Sequence, residues 1–110
     1  MIKAAFFRRK DGTFTGFEVY DHAGYADPGE DIVCAAASML VTNTVNSIES
    51  FTEDKFTLDQ DQRNARISLK VDGKPSEKCD LLLSSLALGM NTLEDTEPYS
   101  KYIDVIYKEA

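Results

Sequence analysis

The chain has no tryptophan, one histidine, two cysteines and three prolines in 110 residues, and each scarcity closes off a class of function. His22, Cys34 and Cys79 cannot supply the three or four ligands of a zinc site without carboxylates, and no CxxC or HxxxH spacing is present. Neither a metal nor a cofactor is therefore expected. Two thiols are too few for a disulfide scaffold, and Met1–Arg8 lacks the long apolar stretch of a secretory signal. Reduced cysteines in the cytoplasm are the expectation. Unbroken apolar runs are only a few residues long, short of the ~20 that cross a bilayer, so no membrane association is expected. Positive charge is also scarce: 12 Lys and Arg stand against 19 Asp and Glu, a net charge of −7. The densest basic cluster, Arg8-Arg9-Lys10, runs straight into Asp11. Nucleic acid is bound through clustered cations, so it is not an expected partner. A basic peptide or protein suits the negative field better.

What remains is the composition of a folded domain, with 43% hydrophobic and 10% aromatic residues. The length is that of a single domain over residues 1–110, without linker, repeat or low-complexity tract. Ile2–Arg9 and Thr13–Tyr20 flank an Asp11-Gly12 turn and read as a β-hairpin. His22 to Glu30 contains two glycines and a proline and reads as a loop. From Asp31 apolar residues recur at helical spacing (Ile32, Ala36, Leu40 and Ile48, flanked by Val33, Ala37, Val41 and Val45). This predicts a largely buried helix with Asp31 as its N-cap and Cys34 in its first turn. Phe56–Asp61 and Ala65–Val71 are two more strands, Glu77–Leu93 a second helix behind Pro75-Ser76, and Tyr99–Tyr107 a final strand. The order ββαββαβ predicts an α+β sandwich, a mainly antiparallel sheet carrying two helices.

The two thiols have different surroundings. Cys79 lies on the leucine-rich face of the second helix and reads as a core residue. Cys34 follows a loop at a helix start, where unpaired N–H groups and the positive helix end stabilise a thiolate. Eleven residues separate it from His22 at the other mouth of that loop. A loop of that length can return the imidazole to the sulfur, the minimum arrangement for nucleophilic attack on an acyl carbon, with first-turn N–H groups as an oxyanion hole. The same residues are also compatible with a buried cysteine and a surface histidine. Asp21, Asp27 and Asp31 are each placed to orient the imidazole or simply to cap or solvate the loop. Ser38, one turn beyond Cys34, either hydrogen-bonds near the site or permits close helix packing.

The run His22-Ala23-Gly24-Tyr25-Ala26, then Gly29, then Asp31-Ile32-Val33-Cys34-Ala35-Ala36 and Ser38, resembles the signature of the ribosomal-processing cysteine protease family, Prp. Length and element order resemble that family over the whole chain. The resemblance implies a cytoplasmic homodimer that cleaves, after a phenylalanine, the short N-terminal extension of large-subunit ribosomal protein number twenty-seven. It implies His22 as general base, Cys34 as nucleophile, Asp31 and Ser38 as supporting residues, and a mobile lid over 22–31 that includes Gly24, Tyr25 and Gly29. Two positions depart from the family pattern. Asp21 stands where glycine is usual and adds a charge beside the base, which is expected to raise the imidazole pKa, and Ala37 stands where valine is common. Other readings of the same residues are a non-catalytic ribosome-assembly module, or a different thiol chemistry such as acyl transfer or redox sensing.

Overall fold

Two hairpins and two helices are joined so that both helices land on one face of a single sheet. The computed structural model describes residues 1–21 and 28–110. Strand β1 (Ile2–Arg8) pairs antiparallel with β2 (Phe14–Asp21) around Gly12, whose φ of 90° suits glycine in the tight turn. Helix α1 (Pro28–Phe51) leads to the hairpin β3 (Phe56–Asp61) and β4 (Arg66–Val71). Helix α2 (Glu77–Asp95) and a short 3-10 turn (Tyr99–Tyr102) lead to β5 (Ile103–Glu109). The sheet order is β3-β4-β2-β1-β5, antiparallel except for the parallel pair β1 and β5. Crossovers β2–α1–β3 and β4–α2–β5 start from oppositely directed strands and step to opposite sides. The same right hand therefore puts both helices on the same face.

Alternation decides which side chains meet them. Ile2, Ala4 and Phe6 of β1, Phe17 and Val19 of β2, and Leu69 and Val71 of β4 join the helices in one core. Phe14 breaks the period. Register slips between Phe7 and Arg8, leaving Thr15 as the extra residue, so Phe14 turns to the core side and meets Phe6 edge-on at 6.0 Å. The Asp80 carboxylate of α2 accepts the Phe14 N–H at 2.8 Å and ties the bulge to that helix. Ser76 caps α2: its hydroxyl accepts the Cys79 N–H at 3.1 Å and donates to Asp54 at 2.5 Å.

Three features differ from the sequence reading. Helix α1 begins at Pro28 rather than after Asp31, because proline at a first helical position loses no hydrogen bond and brings a helical φ. Its burial is one stripe, Val33, Ala37, Val41, Val45 and Ile48, not most of its circumference. A helix laid on a sheet has a solvent side, where Ile32 and Met39 stand exposed. Asp31–Phe51 is long and apolar enough to cross a membrane by length and composition, but here its buried stripe completes the core. Residues 99–102 form the 3-10 turn instead of opening β5, because the Tyr99 and Ser100 N–H groups bond back to the Thr96 carbonyl at 2.7 and 3.1 Å.

Candidate active site

Because α1 starts at Pro28, Cys34 is its seventh residue, in the second turn. The N–H groups free at a helix start belong to its first four residues, and Pro28 has none. Those N–H groups lie before Cys34, whose own N–H is within the helix ladder. The first-turn N–H groups expected to serve as an oxyanion hole therefore precede Cys34 by three or more residues. Nor does Asp31 cap the helix; it is an exposed residue of the first turn. Positions 28–31 of the expected lid, including Gly29, are helical. His22, Gly24, Tyr25 and Asp27 lie outside the described residues.

Cys34 is half-buried against the core and looks into a cleft of about 320 Å³. One wall is the α1 stripe Cys34, Ser38 and Thr42; the other is the end of the β3–β4 hairpin, with Gln60 and Gln62. Val19, Val41 and Ile67 contribute the apolar floor, and Ile2 and Tyr20 close the end where β2 leaves the sheet. The structure thus brings Ser38 to the same cleft as Cys34 and leaves Asp31 off its lining. The hairpin wall had no sequence signal as a site element. Its place beside α1 follows from the strand order, since β4 lies between β2 and β3.

The hairpin is held by its own bonds. Asp61 accepts from the Asn64 side chain at 2.7 Å, and these contacts hold its carboxyl below the usual range. Arg66 reaches Asp59 at 3.0 Å and Glu18 at 3.5 Å. Ala65 takes a φ of 48° where the chain reverses. Cys79 offers a contrast with Cys34. It is fully buried among core residues, and burial, aided by the charges of Asp54 and Asp80, pushes its thiol up to about 11. A thiol so placed is a poor nucleophile. Among the described residues, no group of three or more His, Cys, Asp or Glu could hold a metal ion.

A half-exposed thiol on a helix, at the end of an apolar cleft, is an arrangement that can present sulfur to an extended peptide. Comparison with known proteins agrees. The family described as Cysteine protease Prp matches residues 1–104. The ribosomal processing cysteine protease Prp of Staphylococcus aureus is 26% identical over 98 residues, covering 89% of this chain and 91% of the relative. A crystal structure of the S. aureus ribosomal processing protease Prp with a substrate peptide superposes with a TM-score of 0.89 at 25% identity, over 98% of this chain and all of that one. The S. aureus enzyme with a covalently linked product peptide gives 0.85 at 26% identity, with the same coverage. The chain belongs to the cysteine protease Prp family.

Proposed function

We propose that this protein removes the short N-terminal extension of large-subunit ribosomal protein number twenty-seven, cutting after a phenylalanine, with Cys34 as nucleophile and His22 as general base. The observation that carries the reading is the half-exposed Cys34 sulfur at the head of a peptide-sized cleft. In the reaction His22 takes the thiol proton and the sulfur attacks the scissile carbonyl carbon. The C–N bond then breaks, the amine leaves with the proton held by His22, and a thioester remains. Water, deprotonated by His22, attacks the thioester; the acid is released and the thiol reforms. Ser38, exposed one turn beyond Cys34, supports the bound peptide. Asp31, exposed three residues before Cys34, is the second supporting residue, and 22–31 contributes the lid, with residues 28–31 as its helical base.

The net charge of −7 suits a basic ribosomal customer. A cytoplasmic location fits two cysteines that remain free. A homodimer fits the exposed apolar residues on the outer helix sides, Ile32 and Met39 of α1 and Leu81 and Leu88 of α2. The test is mass spectrometry of the precursor incubated with the protein. Wild type yields the shortened chain, and Cys34→Ala and His22→Ala each lose several orders of magnitude in rate. Cleavage by Cys34→Ala at the wild-type rate overturns the mechanism. Tight binding without cleavage points instead to an assembly module.

A further inference from the structure

We propose that the end of the sheet far from the Cys34 cleft is a docking surface for single-stranded RNA, holding the phosphate backbone by Arg9, Lys10 and Lys70 and a base on Phe7. None of these residues lines the cleft, so the surface stands apart from the protease reading. Only the choice of RNA over DNA rests on the ribosomal customer proposed above. Ile2 closes the cleft, and Arg8 ends the same strand six residues on, about 20 Å away.

The net charge of −7 conceals an uneven distribution. Three segments meet at this end: residues 8–11 where β1 stops, 70–74 where β4 stops, and 108–109 of β5. They carry six Lys and Arg against Asp11, Asp72 and Glu109, while the rest of the chain carries 6 cations against 16 anions. One end is thus positive on a protein that is elsewhere strongly negative, and the two regions attract opposite partners. Asp11 interrupts the basic run in sequence, but its carboxylate serves its own turn. It accepts the Thr13 N–H at 3.0 Å and lies 3.9 Å from Lys74. A groove of about 630 Å³ opens between the segments, with Arg9, Lys10 and Lys70 on its walls and Asp11 and Glu109 as the opposing charges. Among the described residues, Lys10 and Lys70 form no hydrogen bond or ion pair, so their charges are free for a ligand.

The helix-free face of the sheet supplies the second element. Phe6 and Phe17 face the core under the helices, so Phe7 points to the other face, where it is half-buried. The register sets Lys108 beside it on β5 and, across Gly16 of β2, Lys70 on β4. Gly16 has no side chain, so nothing stands between the ring and Lys70 in that row. Cations that track a backbone beside an aromatic ring are how single strands are held, because every base has a face that stacks. An acidic peptide meets the same charges but makes no use of the ring, so these residues favour RNA.

The experiment is fluorescence anisotropy of a labelled, mixed-sequence RNA of about 12 nucleotides with the full chain at low salt. Wild type is expected to bind, with log affinity falling against log salt at a slope of about −2 for three cations on a single strand. Arg9→Glu with Lys70→Glu is expected to lose at least tenfold. Arg63→Glu with Lys101→Glu changes the net charge equally outside the surface and is expected to lose under threefold. All four residues are exposed, and thermal unfolding by circular dichroism checks that both pairs fold. Phe7→Leu fills the same place without a stacking face and is expected to lose about fivefold on RNA and nothing on polyglutamate of equal length. No binding by wild type, or equal loss by the two charge-reversed pairs, overturns the docking surface and leaves the protease reading standing. Polyglutamate binding as tight as RNA, with Phe7→Leu unchanged on both, overturns RNA in favour of an acidic protein. Matching DNA bound at least tenfold tighter overturns the choice of RNA. Loss of cleavage by Cys34→Ala, with its RNA affinity unchanged, keeps this test separate from that of the active site.

Discussion

Alkylation of the native protein with iodoacetamide should separate its two thiols by a factor that the structure sets. Cys79 is fully buried and its thiol is pushed up to about 11. At pH 8 only about one molecule in a thousand carries it as thiolate, against roughly a quarter for an ordinary exposed thiol of pKa near 8.5. Ionisation alone thus slows Cys79 by about 200-fold relative to a free cysteine. Burial slows it further, because the reagent must wait for an opening of the core. Cys34, half-buried at the cleft, needs no such opening. Intact-mass spectra should show one adduct formed well before a second, and peptide mapping should place it on Cys34. Cleaving activity should disappear in step with the first adduct. Raising the pH from 8 to 10 should speed Cys79 labelling about 100-fold, since its thiolate rises tenfold per pH unit below its pKa. Comparable labelling of the two cysteines at pH 8 would refute the placement of Cys79, and full activity after selective labelling of Cys34 would refute its role.

Ser76→Ala should cost about 1–2 kcal/mol in urea unfolding, because it removes the α2 cap and the Asp54 partner together; a loss under 0.3 kcal/mol would refute the capping account. Burial raises the Asp54 pKa, but hydrogen bonds from Ser76 and Thr52 outweigh it and the net shift is downward. The sign follows: that stability is present above the unfolded value of 3.8 and is lost as pH falls below it, and acid titration of Asp54→Asn should lack this component. At Gly16 an added Cβ would run into the Leu69 carbonyl of the neighbouring strand. Gly16→Ala should therefore lower the melting temperature, and an unchanged value would mean that β2 and β4 separate freely there. Cleavage of a basic precursor should slow as salt rises, and an unaltered rate between low and high ionic strength would remove the acidic surface from recognition.

Strands and turns were legible because they are local. Alternation over Arg66–Val71 and the Asp11-Gly12 turn each act within a few residues, and both stand where they were read. Phe14 was not legible. Its parity puts it opposite Phe17, and only the slip beside Thr15 returns it to the core. The start of α1 was misplaced because proline excludes a helix interior yet favours a first turn, and the Pro-Gly pair at 28–29 reads equally as loop. With the helix beginning at Pro28, Cys34 falls in the second turn, beyond the free N–H groups of the first. Cys79 was legible from the leucines around it. The cleft could not be read, because its hairpin wall reaches α1 only through the sheet order, a relation between segments about 25 residues apart.

The pairing of β1 with β5 bears on when the enzyme becomes competent during synthesis. Ile2 closes one end of the cleft and lies opposite Ile103, a partner roughly 100 residues later in the chain. At translation speeds of about 5–20 residues per second, that partner follows by some 5–20 seconds. During that interval β1 has β2 on one side and an open edge on the other, and the cleft beside Cys34 lacks a settled end. Cys34 is made early, but the cleft beside it is closed late.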